Sequence, residues 1–136
     1  MKVVVIDGQG GKMGGMIIER VKSAGIVCEL TAIGTNGIAT AAMMRAGADA
    51  GATGENPIVV ACRTADIIVG PIGVISADSM LGEITAAMAV AIGRSAAKKL
   101  LIPVNICNNI VVGAQRISLS GLITETVDLL SEMCGP

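Results

Sequence analysis

The stretch that most narrows the folds open to this chain lies at its start. In "KVVVIDGQGGKMGG" a β-branched run meets an acid, Asp7, and five glycines then fall within the eight positions Gly8 to Gly15. β-branched residues suit a covered, pleated strand, so Lys2 to Ile6 is expected to be one. Met13, Met16, Ile17, Val21 and Ala24 recur at helical spacing and predict a helix from about Lys12 to Ala24, closed by Gly25.

The alternation continues downstream. "IVCELTAI", Ile26 to Ile33, is a second strand. "GTNG" turns the chain, with Thr35 or Asn36 capping a helix through Ala46 that Gly47 terminates. "ADAGATG" has no period and is expected to be irregular. "NPIVVACR" is a helix with Asn56 as cap and Pro57 at its first position. "DIIVG", Asp66 to Gly70, is the continuous apolar run of a doubly covered parallel strand. A helix over "EITAAMAVAIG", a strand over "KKLLIPV", the loop "NICNN" and a short strand at Ile110 to Val112 follow. The last helix begins near Ser118 or Ser120, burying Leu119, Leu122, Ile123, Thr126, Val127, Leu130 and Met133, with Glu125, Asp128 and Glu132 in water.

Strands alternating with helices imply a three-layer α/β fold, Rossmann-like or flavodoxin-like, with a mostly parallel sheet of four or five strands. The order expected for the four clear strands is 2-1-3-4, with a fifth at an edge. The connection then reverses beside strand one, where such sheets hold ligands. The 136 residues have the length of one domain, 1–136.

Composition removes whole classes of function. The net charge of −1 gives no electrostatic case for nucleic acid, and the lack of Phe, Tyr and Trp removes base stacking. No apolar run reaches the roughly 18 residues of a membrane span. No charged start leads into a secretory apolar stretch. A cytoplasmic protein without nucleic-acid or membrane partners is expected. The chain also has no His, so acid–base chemistry would fall to Asp, Glu, Lys, Cys, Ser, a backbone dipole or a cofactor. The four cysteines form no C-x-x-C pair, and no metal site is expected of them. Cys28 and Cys62 read as reduced, buried thiols. Cys107 is either a loop nucleophile with a lowered pKa or a packed thiol.

Glycines after a strand and before a helix allow another group close to the backbone, and the helix start offers unpaired N–H donors to an anion. Gly8, Gln9, Gly10, Gly11, Lys12, Met13 and Gly14 are therefore the candidate phosphate loop. The spacing is G-x-x-G-x-x-G through Gly8, Gly11 and Gly14, since Met13 replaces the third glycine of G-x-G-x-x-G. Thr35 and Asn36 after strand two, Gly70, Pro71 and Ser76 after strand three, and Asn105 after strand four are expected around it. The opposite connections, such as "KSAG" and "GRSAAKK", are short and ordinary. Asp7 and Asp78 are the catalytic candidates. Converging acids among Asp7, Glu55, Asp78 and Glu83 could hold Mg²⁺ or share a proton. Otherwise Asp7 binds turn amides, and Glu83 faces a helix dipole. The end of strand two lacks the acid that usually binds ribose, and Asp7 would repel a pyrophosphate, so NAD(P) is less favoured than another nucleotide or phosphorylated molecule.

The string "GQGGKMG" resembles the loop of dihydrodipicolinate reductases over about the first 25 residues. More broadly, "VIDGQGGKMG", "GTNGIATAAMMRAGADAGATGEN", "ADIIVGPIGVISADSMLGEITAAMAVAIG" and "LIPVNICNNIVVG" resemble a small bacterial family catalogued only as a domain of unknown function, nearly end to end. That resemblance implies a cytoplasmic bacterial protein and no particular reaction.

The favoured reading is a protein that binds a nucleotide or other phosphorylated or anionic small molecule. Its rivals are a small NAD(P)-dependent reductase or Mg-assisted phosphoryl enzyme, and a non-enzymatic oligomeric or regulatory subunit. The segment Met80 to Gly93 is apolar almost all round, so a homo-oligomer through the helix at Glu83 to Ile92 is expected.

Overall fold

A computed structural model describes residues 1–104, 108–114 and 116–135. Five strands form one sheet: β1 (Lys2–Asp7), β2 (Glu29–Gly34), β3 (Ala50–Thr53), β4 (Ile67–Pro71) and β5 (Lys98–Ile102). Their order is β3-β2-β1-β4-β5, and every neighbouring pair is parallel. The four strands legible in the sequence stand in the expected 2-1-3-4 order, and the fifth, β3, lies at the edge beyond β2. The architecture is a Rossmann- or flavodoxin-like α/β sheet.

Alternation along β1 explains the three layers. Val3 and Val5 point to one face and Val4 and Ile6 to the other, and all are buried because helices cover both sides. On the first face, α1 (Lys12–Ser23), α2 (Gly37–Arg45) and α5 (Leu119–Cys134) contribute Met13, Ile17, Ile18, Val21, Met43, Ile123 and Leu130. On the second, α3 (Glu55–Ala61) and α4 (Ala86–Arg94) contribute Ile58, Met88 and Ile92. Among the described residues no helix is long and apolar enough to cross a membrane.

Several boundaries differ from expectation for identifiable reasons. The "irregular" stretch contains β3, whose register runs from Thr31↔Ala50 to Gly34↔Thr53. Its residues are small and largely exposed, so no apolar pattern marks it. Its position is secured by Asp49, which accepts from the Leu30 N–H at 2.8 Å and from Lys22 Nζ at 2.7 Å. The helix expected at Glu83 starts at Ala86 instead, because the Thr85 hydroxyl caps it by accepting from the Met88 N–H at 3.2 Å. α3 begins at Glu55 after Gly54, ahead of the expected Asn56 cap. No strand forms at Ile110 to Val112, where Ile110 and Val112 are exposed. Asn36 does cap α2, accepting from the Ala39 N–H at 2.9 Å, and Ser118 caps α5. Cys62 is buried, whereas Cys28 is only half-buried.

Candidate functional site

Parallel strands place all their C-terminal ends on one edge. The loops after Asp7, Gly34, Thr53, Pro71 and Ile102 therefore meet there. The chain order reverses between β1 and β4, which makes the crevice outside Asp7 and Pro71 the place for a ligand.

Most of the glycines in the first loop serve internal packing. A Cβ on Gly8 would lie 2.7 Å from Met80 Sδ and 2.8 Å from Thr35 Oγ1. On Gly11, which has φ +68°, it would lie 2.6 Å from the Ala39 carbonyl oxygen, so this residue lets α1 and α2 approach. On Gly14 it would meet Met43 Sδ at 2.6 Å and Asp7 Cβ at 3.0 Å. Gly10 alone in this loop faces nothing within 4 Å among the described residues.

The loop's donors are also partly spoken for. Asp7 Oδ1 accepts from the Gly8 N–H at 2.8 Å and Oδ2 from the Gly14 N–H at 2.8 Å. The Gly11 N–H donates to the Gly8 carbonyl at 2.9 Å. The Gln9 N–H donates to Glu83 Oε1 at 3.0 Å. Among the described residues, the N–H groups of Gly10, Lys12 and Met13 have no acceptor. These three are what the loop and the start of α1 offer an anion; Gly8, Gly11 and Gly14 have already donated.

Two carboxylates govern the electrostatics. Asp7 is 6% exposed. Burial pushes its carboxyl above the usual range against the pull of the Gly14 and Gly8 N–H bonds, and the charge of Glu83 adds to the rise. Glu83 is half-buried. Its partial desolvation is outweighed by the bonds from Thr35, the Gln9 N–H and Asn36, which hold it below the usual range. Thr35 Oγ1 and Asn36 Nδ2 each donate to Glu83 Oε1 at 2.6 Å. Glu83 thus joins the glycine loop to the end of β2, a different role from the helix-dipole contact expected of it. The acids brought together are Asp7 and Glu83, not Asp7 and Asp78.

Against the glycine loop lies a cavity of about 320 Å³ lined by Asp7 through Met13, Met16, Met80, Val104 and Leu119. Its lining combines the loop residues and the exposed Lys12 with thioether and aliphatic side chains. Leu119 was expected in the buried stripe of the last helix but is 41% exposed, and Met80 was expected in an apolar interface segment. Both line this cavity instead, with Val104, because nothing local marks a side chain that reaches a distant strand end.

The remaining candidates scatter. Thr35 and Asn36 stand at the edge but are turned to Glu83. Gly70 and Pro71 are buried in β4, where a Cβ on Gly70 would lie 2.5 Å from the Ile6 carbonyl oxygen. That makes Gly70 a packing position. Ser76 is half-buried, and Asp78 is exposed with φ +67°. Glu55 accepts from Thr85 Oγ1 at 2.6 Å. Asn105 and Cys107 lie outside the described residues. No group of three or more His, Cys, Asp or Glu able to hold a metal occurs among the described residues.

A family model described as "domain of unknown function (DUF3842)" matches residues 2–135. The chain belongs to that family. No curated protein and no solved structure matches it.

Proposed function

We propose that this chain is a cytoplasmic small-molecule-binding protein whose ligand carries a phosphate or another anionic group, held in the cavity at the start of α1. One observation carries the reading. Gly10, Lys12 and Met13, whose N–H groups have no acceptor among the described residues, line a cavity of about 320 Å³ at the reversal point of the sheet, and Lys12 brings a positive charge to it. Backbone donors and the positive end of a helix dipole favour an anion. Gly10, with space beside it, lets the anion approach.

Asp7 sets a condition on that ligand. Its carboxylate occupies the Gly8 and Gly14 donors and would repel an anion in the same cavity. The bound anion is therefore countered by Lys12 and the N–H groups of Gly10, Lys12 and Met13, or Asp7 takes up a proton as it binds. The test is native mass spectrometry of the purified protein for retained ligand, followed by phosphate titration of wild type and Gly10→Val. Binding that survives unchanged in folded Gly10→Val refutes the site.

A homo-oligomer is favoured by a separate observation. The outward face of α4 carries the exposed Ala86, Ala87 and Val90, the last 47% exposed, and α3, which packs on α4, exposes Val60. Exposed apolar residues on two packed helices suit a second copy related by two-fold symmetry.

A further inference from the structure

In an open parallel sheet with this reversal point, an extended dinucleotide lies across the crevice, with its pyrophosphate at the start of the first helix and a ribose at the end of the second strand. Here the β2 half of that crevice is filled from within. The segment Ser76 to Thr85 leaves the β4 side and runs across the strand ends. Met80 lies against Gly8 at the end of β1. Glu83 reaches Gln9, Thr35 and Asn36 at the end of β2. Thr85 then meets Glu55, the residue that opens α3 beyond β3.

We infer that Glu83 and Met80 are the specificity-determining residues of the anion site: they close its β2 half, so the ligand is a small phosphate- or carboxylate-bearing molecule with a compact apolar body, not a dinucleotide. The inference rests on the anion-binding reading above. The donors that could meet ribose hydroxyls, Thr35 Oγ1 and Asn36 Nδ2, are both spent on Glu83 Oε1 at 2.6 Å. A second phosphate entering that half would face the Glu83 charge as well as Asp7. What stays open is bordered by Met13, Met16, Met80, Val104 and Leu119, which suits an apolar body.

The segment is built to stay in place. Met80 and Ile84 are buried, and Ser79 Oγ donates to the Gly73 carbonyl. Asp78, Met80, Leu81 and Gly82 all have positive φ. Side-chain-bearing residues adopt that conformation at a cost and hold it only where the surroundings over-determine it. The outcome is Met80 tucked over Gly8 while its neighbour Leu81 stands 96% exposed.

The experiment compares inorganic phosphate with NADH, by calorimetry and by nucleotide fluorescence, in wild type and in Met80→Ala/Glu83→Ala. Glu83→Gln is added as a variant that keeps side-chain size, and circular dichroism monitors folding. The expected result is that wild type binds phosphate and not NADH, while the double variant gains at least about tenfold in NADH affinity relative to phosphate. If the double variant fails to fold, the same relative gain, smaller in size, is expected of Glu83→Gln. NADH bound by wild type as tightly as phosphate overturns the inference, and so does a folded variant with unchanged discrimination. If wild type binds NADH but not phosphate, the closed half is refuted while a ligand site remains. If it binds neither, the anion-site reading fails and takes this inference with it.

Discussion

Gly10 and Gly11 are neighbours in one loop, and the structure predicts opposite consequences for adding a methyl group to each. At Gly11 the backbone has φ +68°, and the new Cβ would stand 2.6 Å from the Ala39 carbonyl oxygen and 2.7 Å from Ala39 Cα. The left-handed conformation costs an L-residue about 1–2 kcal/mol. The clash is with the backbone of α2, which cannot rotate away as a side chain can, so α1 and α2 must part; overpacking of this kind costs about 1–3 kcal/mol. Gly11→Ala should therefore lose about 2–5 kcal/mol. At Gly10 no described residue lies within 4 Å of the added Cβ and φ is not in the left-handed region. Gly10→Ala should be neutral or up to about 1 kcal/mol more stable, through the reduced entropy of the unfolded chain. Its effect should fall on the ligand, with phosphate binding weakened because the methyl group occupies the approach. Urea unfolding followed by circular dichroism measures the first quantity; the chain has no Trp or Tyr to report by fluorescence. Equal losses at the two positions, or a loss below about 1 kcal/mol for Gly11→Ala, would refute the division of labour within the loop.

Other perturbations test the acids and the outer face. The raised pKa of Asp7 means that the folded protein loses stability as pH rises from the ordinary value of 3.8 through the raised one; Asp7→Asn should abolish that slope in urea unfolding. The same substitution should tighten phosphate binding by about tenfold at neutral pH, since a repelling charge is removed; unchanged calorimetry would leave Asp7 as a turn residue only. Glu83 has the opposite sign: its lowered pKa contributes stability present above the ordinary 4.5 and lost as pH falls, so Glu83→Gln should flatten the acid limb. Asp78→Asn should leave stability within about 0.5 kcal/mol and phosphate affinity unchanged, because its carboxylate is exposed. Ala87→Glu or Val90→Glu should shift light-scattering mass towards the monomer; a wild-type monomer, or an oligomer indifferent to both, refutes the α4 interface.

Much of the scaffold was legible because its signals are local. A β-branched run such as Val3 to Ile6 is apolar on both faces only when helices cover both, so β1 and β4 announce a parallel sheet by themselves. Helical spacing and caps located α1, α2 and α5, since Asn36 and Ser118 bond to amides only three residues away. The crowding of glycines after β1 was equally visible. Sequence could not distinguish a glycine that admits a ligand from one that admits the protein. Gly8, Gly11 and Gly14 read as phosphate donors, yet their space is taken by Met80, Ala39 and Met43, and their N–H groups by Asp7 and the Gly8 carbonyl.

Periodicity and capping therefore determined the layers, the parallel sheet and the edge on which the polar loops gather, because each depends on residues within a turn or a strand of one another. Tertiary structure alone decided that β3 is a strand, that Glu83 joins Gln9 to Thr35 and Asn36, and that the charge near Asp7 is that of Glu83 rather than Asp78. Glu83 and Gln9 are 74 residues apart. A contact at that separation leaves no local pattern, because it exists only after the β4–α4 connection has been laid across the ends of the other strands.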